Sequence, residues 1–134
     1  DCVSLLYKIY RLIIEFSTLN YVSKSNKEKI VWAGQYVKDN CNVTVLELAE
    51  KLGVTEVYFR KLFRSVYNKS PSQYIIFQRI ERAKALMEYP FLSIEDCAER
   101  SGFSSVQYFG RAFKKVTGVT PARFRKQLLS RIKK

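Results

Sequence analysis

"YFRKLFRSVYNKSPSQY" occupies residues 58–74, and "YFGRAFKKVTGVTPARF" occupies residues 108–124. Each copy sets Tyr beside Phe (Tyr58–Phe59, Tyr108–Phe109) and places a second Phe one helical turn on (Phe63, Phe113). Each then reaches a Pro (Pro71, Pro121) at the same distance. Phe59, Leu62, Phe63 and Val66 fall at i, i+3, i+4 and i+7, as do Phe109, Ala112, Phe113 and Val116. That is the spacing of one buried face of an α-helix. The chain therefore contains two equivalent helical units, and the fold follows from what surrounds one of them.

Upstream of each copy stand an Ala and a Gly four residues apart. Ala49 and Gly53 return as Ala98 and Gly102, 49 residues on, whereas Tyr58 returns as Tyr108, 50 residues on. The second copy thus carries one extra residue in its turn, "GFSSV" against "GVTEV". A small Ala lets two helices approach near a turn, and Gly takes the positive φ that ends a helix abruptly. Each unit reads as helix, tight turn, helix, which is a helix-turn-helix.

Capping residues place the elements. Thr44 with Glu47 has the capping-box pattern and opens a helix ending at Leu52. Thr55 opens the next, to about Val66. Ser70, Pro71 and Gln73 open a long helix to about Glu88, stopped by Tyr89-Pro90. The pattern then restarts with Ser93 and Asp96. Ser104 or Ser105 caps a helix to about Thr117, and Thr120-Pro121 opens a last one, to about Ser130. Before the first unit a helix is expected over about Lys27–Asp39, with Ile30, Ala33, Tyr36 and Val37 inward. "NYVSKSNKEK", Asn20 to Lys29, reads as a polar linker. Ahead of it Leu5, Ile9, Leu12, Ile13 and Phe16 recur at helical spacing, as in a helix that packs on something outside the chain. No stretch shows convincing period-two alternation. The expected fold is all-α: two helix-turn-helix (homeodomain-like) subdomains joined by a long linker helix and preceded by an N-terminal linker helix.

Composition narrows the function. With 134 residues and 47% apolar residues the chain can bury a core. Its net charge of +12 favours a polyanionic partner, either nucleic acid or an acidic membrane surface. After Glu99 there is no acidic residue, while Arg100, Arg111, Lys114, Lys115, Arg123, Arg125, Lys126, Arg131, Lys133 and Lys134 follow. The absence of His removes the usual general base and the commonest metal ligand. Cys2, Cys41 and Cys97 have no ligand spacing, which suggests a reducing compartment without disulfides. No cofactor, metal or catalytic residue is expected. "LLYKIYRLIIEF" is too short for a membrane span, which needs about 20 apolar residues, and Lys8, Arg11 and Glu15 interrupt it. It has no small-residue cleavage site. The first residue is Asp1 rather than Met, so a longer parent protein is expected.

The faces opposite the two Phe stripes carry the chemistry. In the first unit that face is Val57, Arg60, Lys61 and Arg64; in the second it is Val106, Gly110, Arg111 and Lys114, with Gln107 alongside. Arg bonds bidentately to guanine, Gln to adenine, and Val touches a thymine methyl. The candidate base-contacting residues are Val57, Arg60, Lys61, Val106, Gln107 and Arg111. The candidate phosphate-contacting residues are Thr44 and Ser93 at helix N-termini, with Arg64, Lys114 and Lys115.

From about Lys27 to the end the chain resembles the DNA-binding domain of the AraC/XylS family of bacterial transcription regulators. "LAEKLGVTEVYFRKLF", "SPSQYIIFQRIERAKALM" and "CAERSGFSSVQYFGRAFKKVTGVTPARFR" carry the resemblance. It implies sequence-specific binding of a double-stranded DNA operator in the cytoplasm, with the helices that follow Thr55 and Ser104-Ser105 as recognition helices. Residues 1–26 are then the helix and linker from a sensing domain in cis that lies outside this chain, and 27–134 the DNA-binding domain. RNA polymerase and homodimerisation of the full-length protein are further partners compatible with it; a membrane is not. Cys97 and Ser101 stand where the family usually has aliphatic residues, and both are expected to point inward. Gly110 stands where a small polar residue is common, and Asn68 replaces a usual Gly after the first recognition helix. Three other readings compete: a helical protein-interaction module without DNA reading, a DNA-repair enzyme with an activated cysteine, and a membrane-surface binder.

Overall fold

The structure, a computed structural model, describes residues 2–132, with side chains described at 4–10 and 25–132. The described residues form seven α-helices and no strand: α1 (Cys2–Asp39), α2 (Val45–Leu52), α3 (Glu56–Tyr67), α4 (Pro71–Leu86), α5 (Ile94–Arg100), α6 (Val106–Thr117) and α7 (Pro121–Ile132). The elements expected from capping are present, with one correction. The stretch Asn20 to Lys29, read as a linker, is helical, so the two N-terminal helices are one 38-residue helix. The stretch from Asn20 to Lys29 contains no Gly or Pro, and its Ser and Asn residues lower helix propensity by less than about 0.7 kcal/mol each. Polarity there does not by itself break a helix, and Asn26 within the stretch is buried. Leu5 and Ile9 are exposed, while Leu12, Ile13 and Phe16 lie outside the described side chains.

Local chemistry sets the helix ends. Thr44, Thr55, Ser70, Ser93 and Ser105 each accept a hydrogen bond from the backbone three residues on. Ser105, not Ser104, caps α6. Full capping boxes form at Ser70–Gln73 and Ser93–Asp96, whereas Thr44–Glu47 forms only the bond that Thr44 accepts. The Ser93 amide, donating to Asp96, holds that carboxyl below the usual carboxylate range. Gly53 at φ 68° and Gly102 at φ 98° end α2 and α5 as the turn requires. Asn68, at φ 56°, closes α3 where Gly118 closes α6. Helix α4 ends two residues earlier than expected, and its 16 residues span roughly 24 Å.

Two separate hydrophobic cores result. The first gathers Ile30, Ala33 and Val37 of α1, Leu48 and Ala49 of α2, Phe59 and Phe63 of α3, and Tyr74 and Ile75 of α4. Within it Phe63 lies 5.1 Å from Tyr74 and 4.7 Å from Tyr67 between ring centroids. The Tyr74 hydroxyl donates to the Gly34 carbonyl at 3.0 Å. The second core gathers Ile80 and Ala83 of α4 with Met87 at its C-cap, Leu92, Cys97 and Ala98, and Phe103, Phe109 and Phe113. Cys97 and Ser101 are fully buried, and the Ser101 hydroxyl lies 2.6 Å from the Cys97 carbonyl and 3.0 Å from that of Ala98. A polar side chain is tolerated there because the end of α5 supplies its acceptors. The linker helix thus gives its first half to one core and its second half to the other.

Candidate nucleic-acid interface

Helices α3 and α6 are the second helices of their units. Each buries its Phe pair: Phe59 and Phe63 are 0% exposed, as are Phe109 and Phe113. The stripe is shorter than the spacing suggested, since Val66 is half-buried and Val116 is exposed. Burying one edge turns the other outward. Arg60, Lys61 and Arg64 on α3, and Gln107, Arg111, Lys114 and Lys115 on α6, are all exposed. These cationic faces are not packed against protein.

The caps also set the correspondence between the two helices, at the same 50-residue offset that relates Tyr58 to Tyr108. Thr55 caps α3 and Ser105 caps α6, so Val57 corresponds to Gln107 and Glu56 to Val106. Val57 is 68% exposed, whereas Val106 is half-buried. By the same register the counterpart of Arg60 is Gly110, and that of Lys61 is Arg111. Around Gly110 there is open space for a Cβ, and its φ is not positive. The Gly110→Ala protein is therefore expected to be more stable by about 1 kcal/mol, seen as a rise of a few degrees in a thermal melt.

Charge differs between the faces. Arg60 Nη2 lies 2.6 Å from Glu56 Oε1, one turn earlier on α3, with both side chains well exposed. The first turn of α6 has no acidic residue. An exposed pair of this kind contributes only about 0.3–0.5 kcal/mol, so a phosphate or a guanine edge can compete for Arg60. Of the helix N-termini, Thr44 and Ser93 are exposed and each already caps its own helix. Helix α5 further carries Glu95 and Asp96 in its first turn. The Cys41 and Cys97 thiols are buried, and burial pushes both thiols up, which leaves them protonated and poorly nucleophilic at neutral pH. Among the described residues no cluster of three His, Cys, Asp or Glu could hold a metal ion. No described helix is long and apolar enough to cross a membrane.

Arg79, absent from the residues singled out in the sequence, is, like Arg82 and Arg125, a further cation with a defined setting. Its Nε donates to the Cys41 carbonyl at 2.6 Å, across 38 residues. A basic residue between Ile75-Ile76 and Ile80 on the linker helix was the available signal.

Two helix-turn-helix units on one linker helix, each with an exposed cationic second helix, define a double helix-turn-helix DNA-binding domain. A family model described as "Helix-turn-helix domain" matches residues 48–127. The Msm operon regulatory protein of Streptococcus mutans is 33% identical over 128 residues, covering 92% of this chain and 46% of that protein. Among solved structures, the C-terminal domain of AraT, a response regulator from Geobacillus stearothermophilus, is 30% identical with a TM-score of 0.69, covering 74% of this chain and 84% of that one. The DNA-binding domain of AdpA, solved in complex with a target DNA, is 28% identical with a TM-score of 0.67, covering 79% of this chain and 94% of that one. The chain belongs to the AraC-type helix-turn-helix family of DNA-binding transcription regulators. It spans about half the length of the Msm operon regulatory protein.

Proposed function

We propose that the chain reads a duplex operator with both units at once, α3 and α6 entering successive major grooves. The observation that carries this reading is the paired exposure of Arg and Lys on both helices behind buried Phe pairs. Successive major grooves on one face of B-DNA lie about 34 Å apart. The linker helix is shorter than that, roughly 24 Å, so the units must splay or the duplex must bend, at about 1–6 kcal/mol.

Val57, Arg60 and Lys61 of the first unit, with Val106, Gln107 and Arg111 of the second, are the base readers. Arg64, Lys114 and Lys115, with the helix starts at Thr44 and Ser93, set register on phosphates. Gly110 offers the groove no side chain, so the second unit leans more on Arg111 and on phosphates. Residues 27–134 form the DNA-binding domain, and residues 1–26 lead from a sensing domain in cis of a cytoplasmic, homodimeric regulator that meets RNA polymerase. Asn26, buried with its Nδ2 donating to the Tyr58 hydroxyl at 3.1 Å, packs against the first unit at the edge of that boundary.

Selection from a random duplex pool followed by titration tests the reading. Arg60→Ala, Lys61→Ala or Arg111→Ala is expected to weaken binding to the selected duplex by about 1–3 kcal/mol per lost base contact, and to random DNA by less. Equal loss on both would remove base reading.

A further inference from the structure

The two cores share no buried residue. A cleft of about 200 Å³ opens between them, lined by Val43, Thr44, Ile75, Ile76 and Arg79 and by Tyr108 of the second unit. At this seam stands Arg79, half-buried on α4 between Ile75 and Ile80. Its Nε donates to the Cys41 carbonyl at 2.6 Å, and Nη2 lies 3.4 Å from the Val43 carbonyl, both in the α1–α2 connection of the first unit. Its Cζ is 6.0 Å from the ring centroid of Phe103, in the turn of the second unit.

The second unit reaches the same point from its own side. A Cβ on Gly102 would come within 2.9 Å of the Cys41 carbonyl oxygen, 2.8 Å of Asn42 Oδ1 and 3.1 Å of Arg79 Nε. Gly53, its counterpart, has nothing within 4 Å. Both glycines answer a positive φ, but only Gly102 also admits the neighbouring unit. Three segments therefore meet on one guanidinium: the loop that opens the first helix-turn-helix, the linker helix, and the turn of the second.

We propose that Arg79 is a positioning residue that locks the relative orientation of the two units, and so the spacing of the DNA half-sites that one chain can grip. A guanidinium suits this task because its rigid planar fork fixes direction, and charge-assisted bonds to carbonyls are strong. Without it, α4 and the close approach of Gly102 to Cys41 and Asn42 are what connect the units across an incompletely filled seam. The DNA part of the claim rests on the two-groove reading above, and the experiment separates them.

Two measurements are needed. The first uses no DNA. Nitroxides on Ser65→Cys of α3 and Gln127→Cys of α7, both exposed positions, in a Cys2→Ser background, report the distance between units by pulsed electron resonance. A narrow distribution is expected with Arg79, at least twice as broad with Arg79→Met, and intermediate with Arg79→Lys. Equal widths overturn the proposal. The second measurement takes the duplex selected by the unlabelled wild type, a one-half-site version, and versions with one base pair added between half-sites. Arg79→Met is expected to bind the single half-site within twofold of wild type and the full duplex at least tenfold more weakly, and to lose less than wild type does on insertion. Equal loss on single and full sites reduces Arg79 to a support of the fold and overturns the proposal. Should wild type bind no duplex, the two-groove reading fails while the distance widths still decide the positioning role. Arg79→Lys, which keeps charge and stem, supplies both readouts if Arg79→Met does not fold.

Discussion

Replacing Phe113 with Ala is expected to unfold the second unit, at a cost of about 3–5 kcal/mol. Phe113 is 0% exposed, and its ring sits 5.5 Å from that of Phe109 and 5.3 Å from that of Phe124. Truncation removes the apolar side chain from the second core and leaves a cavity that α4, α6 and α7 cannot close without moving. A folded chain keeps on the order of 0.05–0.15 kcal/mol per residue, so a loss of this size takes most of the stability of a unit of this length. Phe63→Ala is the matching test in the first unit, where the ring packs against Phe59, Tyr67 and Tyr74. Because the cores are separate, the damage is expected to stay largely within one unit. Hydrogen exchange of Phe113→Ala should show protection lost over α5 to α7 and retained over α2 and α3. Unchanged melting would mean that the Phe stripe is not the core; uniform loss would mean that the units fold as one.

The steepest response expected in binding is to salt. Arg60, Lys61, Arg64, Arg111, Lys114 and Lys115 are exposed on the two recognition helices, and Arg123, Lys126 and Arg131 on α7 add to them. If about 6–9 of these cations meet phosphates, affinity for duplex DNA falls by roughly 10³–10⁵ between 50 and 200 mM salt. A plot of log K against log salt then has a slope of about −5 to −8. Lys114→Ala should make that slope shallower by about 1, and Gln107→Ala should leave it unchanged, since an amide displaces no counterion. A flat titration would contradict the electrostatic account whatever the half-site preferences are.

The sequence was informative wherever one residue's preference acts within a turn of chain. Ser70 with Gln73, and Ser93 with Asp96, announced their helices because the cap and its partner are three residues apart. Gly53, Gly102 and Asn68 announced left-handed closures because few other residues take that φ readily. The Phe stripes announced the cores because helical periodicity is a local property. The reading failed where polarity stood in for geometry, at Asn20 to Lys29, since a polar helix and a linker can share a composition.

By itself, then, the sequence determined the helices, their caps, the repeat and the cationic faces, all products of contacts within a few residues. Only the tertiary structure decided that the hydrophobic interior is two cores, that Gly102 is needed for approach as well as for φ, and that Arg79 joins segments 38 residues apart. Such contacts depend on how whole helices pack, and no periodicity or cap along the chain encodes which distant carbonyl a side chain will meet.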